Sequence, residues 1–119
     1  MLNSENMNME LTRLSVSVIL KKLCTHIASA EAKISDSRKE EYLARLASYD
    51  SNDELLKVVQ QCHDVLTHTD IQYLLCFIIE MEYDDIINLF NIEKSTLYTV
   101  RYRIRKKLKN YGGAISLVL

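Results

Sequence analysis

Asp84-Asp85-Ile86-Ile87-Asn88-Leu89-Phe90-Asn91-Ile92-Glu93-Lys94-Ser95-Thr96-Leu97-Tyr98-Thr99-Val100-Arg101-Tyr102-Arg103-Ile104-Arg105-Lys106-Lys107-Leu108-Lys109 is the stretch on which the fold turns. Ile86, Ile87, Leu89 and Phe90 have the spacing of a short helix, for which Asp84 is the expected cap. Asn91-Ile92-Glu93 then has the length of a turn that joins two helices at a steep angle. Beyond it Leu97, Val100, Ile104 and Leu108 recur at 3-4-4 spacing, which draws one apolar stripe along a helix predicted over 94–109. Asn110-Tyr111-Gly112 is a suitable stop, since it offers residues that accept left-handed geometry. Ile86, Ile87, Phe90 and Ile92 are placed to clamp the two helices at a fixed angle. A short helix, a three-residue turn and a longer helix with a basic outer face make the physical description of a helix-turn-helix.

Charge singles out the same region. The chain carries 15 basic and 16 acidic residues, yet 94–119 holds seven bases and no acid, a net +7 against −8 for 1–93. A charge run is often only a solvated helix face, but such a face gains from Glu–Lys pairs one turn apart, and this one has none. The positive field is therefore suited to an external anion, and charge asymmetry between halves points to nucleic acid or membrane contact. On a helical wheel Ser95, Tyr98, Thr99, Tyr102, Lys106 and Lys109 lie opposite the apolar stripe, with Arg103 and Arg105 flanking and Lys94 at the helix start. These nine residues are the expected DNA contacts. Hydroxyls and tyrosines near the helix start approach base edges or phosphates, and the bases further along neutralise phosphates.

Working outward, Thr67-x-x-Asp70 is a capping-box signature that opens an apolar helix with Ile71, Leu74, Leu75 and Ile78 inward. Phe77 and Ile79 make that helix apolar nearly all round, as befits the centre of a bundle. Ser37-x-x-Glu40 and Ser51-x-x-Glu54 have the same signature and predict helices over about 38–49 and 52–64, with Tyr49 to Asp53 as the turn between them. Before these, a helix is predicted from Met9 to Ile34. Its seam of Val16, Leu20, Leu23, Ile27, Ala30 and Ile34 lies nearly opposite Leu11, Leu14 and Val18. Two apolar faces imply two contacts, so Val16, Leu20, Leu23, Ile27 and Ile34 are expected at a homodimer interface, against the simpler alternative of a central helix in a monomeric bundle.

Leu66-Thr67-His68-Thr69-Asp70 through Lys106-Lys107-Leu108 resembles the LuxR-type helix-turn-helix domain of bacterial transcription regulators. That family opens with Leu-Thr and has an acid at Asp70, Ile at Ile86, Leu at Phe90, Ile at Ile92, Thr-Val at Thr96-Leu97, Ile at Ile104 and Lys-Leu at Lys107-Leu108, without a gap. Arg101 to Leu108 looks especially like a variant found at the ends of multi-part signalling proteins of the Bacteroides group. The family favours Gly near Glu80, Ala at Ile87 and Ser at Glu93, where this chain differs. The resemblance covers 43 of 119 residues and implies a four-helix DNA-binding unit whose third helix enters the major groove.

The expectation is thus an all-α chain: a helical N-terminal arm or hairpin over 1–64, a LuxR-like four-helix helix-turn-helix domain over 65–111 and a tail over 112–119. Residues 1–64 lack the alternating β/α pattern of a receiver, so the chain reads either as a stand-alone regulator with a dimerisation arm or as the output end of a longer signalling protein. Expected partners are double-stranded DNA and a second copy of the chain. The other reading is a helical adaptor that turns the same basic face to an acidic protein, because fold does not dictate function.

Composition removes other classes. The chain has no proline, and Gly112 and Gly113 are its only glycines, so the tight turns of all-β folds and phosphate-cradling loops lack raw material. The longest apolar run, Leu74 to Ile79, is six residues against the roughly 20 of a membrane span. With no basic-then-apolar leader, a soluble cytoplasmic protein is expected. Cys24, Cys62 and Cys76 are odd in number and lack a Cys-x-x-Cys pair, so they read as reduced core thiols rather than a disulfide framework or zinc site. His26, His63 and His68 have no nucleophile or carboxylate at motif spacing. No enzyme, metal, cofactor or small-molecule substrate is expected.

Overall fold

The computed structural model describes residues 4–48, 59–60 and 65–109. These are all-α: five helices, α1 (Ser4–Ala28), α2 (Asp36–Ala47), α3 (His68–Ile78), α4 (Tyr83–Phe90) and α5 (Lys94–Leu108), with no strand among the described residues. α1 packs on α2 and α3, and α5 packs on α3 and α4. One core joins Val16 on α1 to Leu108 on α5, so the helices before residue 65 share their interior with those after it. Residues 65–109 hold three helices, where the resemblance implies four. The helix predicted over 52–64, its Ser51-x-x-Glu54 cap, the Tyr49–Asp53 turn and the Asn110-Tyr111-Gly112 stop lie outside the described residues, apart from the buried helical Val59 and its neighbour Gln60.

α3 is the central element. Every residue from Tyr73 to Ile79 is buried, because the helix is covered from the α1 side and the α5 side at once. It starts where its sequence signature lies: the Thr67 hydroxyl accepts the Asp70 amide and the Asp70 carboxylate accepts the Thr67 amide, both at 3.1 Å.

The N-terminal half departs from expectation in three places. α1 runs from Ser4 to Ala28, not from Met9 to Ile34, and a turn follows in which the Ala32 amide donates to the Ser29 carbonyl. Ile34 is core but belongs to the link to α2, and Ala30 is exposed. α2 starts at Asp36, capped by Ser35, whose hydroxyl accepts the Arg38 amide at 3.4 Å, so the Ser37-x-x-Glu40 box is not the start. Ser35 has the extended backbone (ψ 147°) that a capping position needs, which brings its oxygen to the amide three residues on.

The seam differs as well. Val16, Leu20, Leu23 and Ile27 on α1, and Ile34 beyond it, are buried in the chain's own core together with Ile19. This face is not free to meet a second copy. Among the described side chains of α1, the large apolar ones left on the surface are Leu14, 65% exposed, and Val18, 50% exposed, on the other side of the helix; the Leu11 side chain of the same predicted face lies outside them.

Candidate nucleic-acid interface

The predicted stripe anchors α5. Leu97, Val100, Ile104 and Leu108 are all buried, which fixes the rotation of the helix about its axis. The turn before it is set by Asn91, whose left-handed backbone (φ 51°) is one that asparagine tolerates. The Asn91 and Ile92 amides both donate to the Ile87 carbonyl, and the Glu93 carbonyl accepts the Leu97 amide at the start of α5. Ile86 and Leu89 are fully buried, and Ile87, Phe90 and Ile92 pack against the core from its edge.

With α5 held this way, Lys94, Ser95, Tyr98, Thr99, Tyr102, Arg105, Lys106 and Lys109 are exposed, as the wheel places them. Arg103 differs. Its guanidinium binds the Asp70 carboxylate at 2.5 Å, and Lys107 Nζ approaches the other oxygen at 3.3 Å. Asp70 is only 2% exposed, so this is an inward contact that ties α5 to the first turn of α3. Burial by itself would raise the Asp70 pKa. The Thr67 amide and the two bases outweigh it and hold the carboxyl below the usual aspartate range. Asp70 as the hub of two helices is not legible from its capping motif. The available signal was the pair Arg103 and Lys107, one turn apart on the flank of the stripe. Five bases of α5 and its end, Lys94, Arg101, Arg105, Lys106 and Lys109, have no ion-pair partner among the described residues.

The acids beside the turn do not act alike. Asp85 is 2% exposed and turned inward, where it accepts the Tyr42 hydroxyl at 2.6 Å and meets Arg38 Nε at 3.3 Å. The same hydroxyl accepts the Glu82 amide at 3.2 Å. Glu82 is the cap residue of α4 and Asp85 its third residue, so Tyr42 of α2 stands between the two partners of a capping box. Asp84, the predicted cap, is therefore only a first-turn residue. Burial and the hydrogen bond to Asp85 push the Tyr42 phenol up to about 12. Glu80, Glu82 and Asp84 are exposed, and Glu80 takes a left-handed backbone (φ 58°) between α3 and α4. Arg45 Nη1 donates to the Ile79 carbonyl at 2.8 Å and closes the end of α3.

Aromatic contacts brace the start of α5. Tyr98 meets Tyr83 edge-on at 6.0 Å between ring centres, and Lys94 Nζ lies over the Tyr98 ring at 6.0 Å. Behind them Phe90 stacks on Tyr73 at 4.2 Å and makes a T-shaped contact with His26 of α1. A cleft of about 460 Å³ between the link after α1 and the turn after α4 is lined by His26, Glu31, Lys33, Asn88 and Asn91 among others. The described residues contain no group of three or more His, Cys, Asp or Glu arranged to hold a metal ion. Cys76 is fully buried, and burial drives its thiol pKa far up, while Cys24 is half-buried. No described helix is long and apolar enough to cross a membrane. In comparisons with known proteins, no family model, curated protein or solved structure matches the chain.

Proposed function

We propose that the protein is a sequence-specific, DNA-binding transcription regulator in which α4, the Asn91–Glu93 turn and α5 form a helix-turn-helix and α5 enters the major groove. The observation that carries this reading is the outer face of α5: all nine expected contacts are exposed, only Arg103 among them is held by an acid, α5 itself contains no acid, and the apolar stripe locks the helix in place. The LuxR-type resemblance is supported by Glu80, whose positive φ lies where that family favours glycine, and by the buried positions Ile86, Leu97 and Ile104. The reading makes the protein a non-enzymatic regulator that works in the cytoplasm, with no cofactor.

A homodimer belongs to the same reading, with its interface moved to the outer face of α1. An antiparallel pairing centred level with residue 16 sets Leu14 of one copy against Val18 of the other. Paired α5 helices would then favour an inverted repeat with half-sites about 34–36 Å apart.

Titration of labelled duplex DNA at several salt concentrations tests the reading. With Arg103 and Lys107 engaged by Asp70, five bases remain, so log K against log salt should fall with a slope of about −4 to −5 per subunit. A flat response overturns DNA binding and favours the adaptor that takes an acidic protein.

A further inference from the structure

The base-facing part of α5 has an unusual chemistry, and the inference from it rests on the proposed DNA binding. In a helix-turn-helix the N-terminal residues of the second helix reach base edges. Guanine is read chiefly by Arg or Lys in bidentate fashion and adenine by Asn or Gln, whereas thymine offers a methyl group to apolar contact. Between Lys94 and Tyr102 the exposed side chains are Lys94, Ser95, Thr96, Tyr98, Thr99 and Tyr102, with no Arg, Asn or Gln among them. Lys94 rests over the Tyr98 ring, and the Thr99 hydroxyl donates to the Ser95 carbonyl at 3.1 Å, which leaves its methyl as the outward group. Tyr98 and Tyr102 stand one turn apart, and Tyr102 is 67% exposed. The Tyr83 ring braces Tyr98 from the side. Arg101 is half-buried, and Arg103 is drawn away by Asp70.

We infer that α5 reads thymine: the rings of Tyr98 and Tyr102 pack on thymine 5-methyl groups in the major groove, so the preferred sites are rich in A·T pairs, while Arg105, Lys106 and Lys109 grip phosphates without regard to sequence. Rings and methyls supply apolar surface that only the thymine edge matches, and the nearby hydroxyls accept either base.

The test is to enrich binding sites from a random duplex library with the full chain, then replace thymine by uracil in the best site, a change that deletes only the methyl group. Each contacted methyl lost should weaken binding about fourfold, the value of one buried methyl group. Tyr102→Ala should lower the preference for thymine over uracil and the double variant Tyr98→Ala with Tyr102→Ala should bind both duplexes alike, whereas Arg105→Ala should weaken both by the same factor and keep their ratio. Equal binding of thymine and uracil duplexes by the unaltered protein overturns the inference while leaving DNA binding intact, as does enrichment of sites without A·T bias. Failure to enrich any duplex overturns the inference together with the DNA-binding reading.

Discussion

α1 and α5 are both charged helices on the flanks of α3, yet only α5 is placed by its own pattern. α5 has a single apolar stripe, and burial of Leu97, Val100, Ile104 and Leu108 leaves its polar residues one place to go. α1 carries two apolar faces, and periodicity is silent on which is inside. The outcome was set by α2 and α3, which cover Val16, Ile19, Leu20, Leu23 and Ile27 and leave Leu14 and Val18 in water. A helix is oriented by its own sequence when one side alone repays burial. When two sides do, its neighbours choose.

Substitutions that exchange the two faces of α1 are the strongest way to break this contrast. Leu23→Glu should unfold the protein outright, since an unpaired carboxylate where Leu23 has no exposure costs well above ~4 kcal/mol. Far-UV circular dichroism at 25 °C would show lost helix, and a folded Leu23→Glu monomer would restore this face as a partner surface. Ile104→Ala comes next. It deletes buried atoms beneath α5 and should lower stability by about 2–5 kcal/mol in chemical denaturation. If it costs nothing, the facing of α5 and the list of exposed contacts both fail.

Asp70→Ala is expected to cost roughly 3 kcal/mol, combining a lost helix cap with a lost charged hydrogen bond. Its dependence on pH sharpens the case for the tie between α3 and α5. Because the folded carboxyl lies below its ordinary value, the contribution is complete above about pH 4, declines as acid is added and vanishes once the pH falls below the folded value. Melting temperatures of wild type and variant should therefore converge in acid. A constant gap would mean that the ion pair contributes nothing.

The smallest effects on stability belong to the exposed sides. Leu14→Glu with Val18→Glu should change stability by no more than about 0.5 kcal/mol but disperse a dimer, read as a fall in mass by light scattering. Arg105→Ala should leave the melting curve in place and reduce the salt slope of DNA binding by about one. An unchanged slope would remove Arg105 from the phosphate contacts.

Periodicity and local chemistry alone determined that the chain is helical, that α4, a three-residue turn and α5 follow one another, that Thr67 and Asp70 cap α3, and that Lys106 and Tyr102 stand away from the core. Each of these depends on residues within about one or two turns of each other, where helix geometry converts spacing directly into direction. Only the tertiary structure decided that the Val16–Ile27 face of α1 lies inside, that Arg103 and Lys107 converge on Asp70, and that Tyr42 completes the cap of α4 with Glu82 and Asp85. The Asp70 and Tyr42 contacts join residues 33 to 43 positions apart. A buried carboxylate takes whichever donor the packed neighbours bring to it, and spacing along the chain does not record which donor that is.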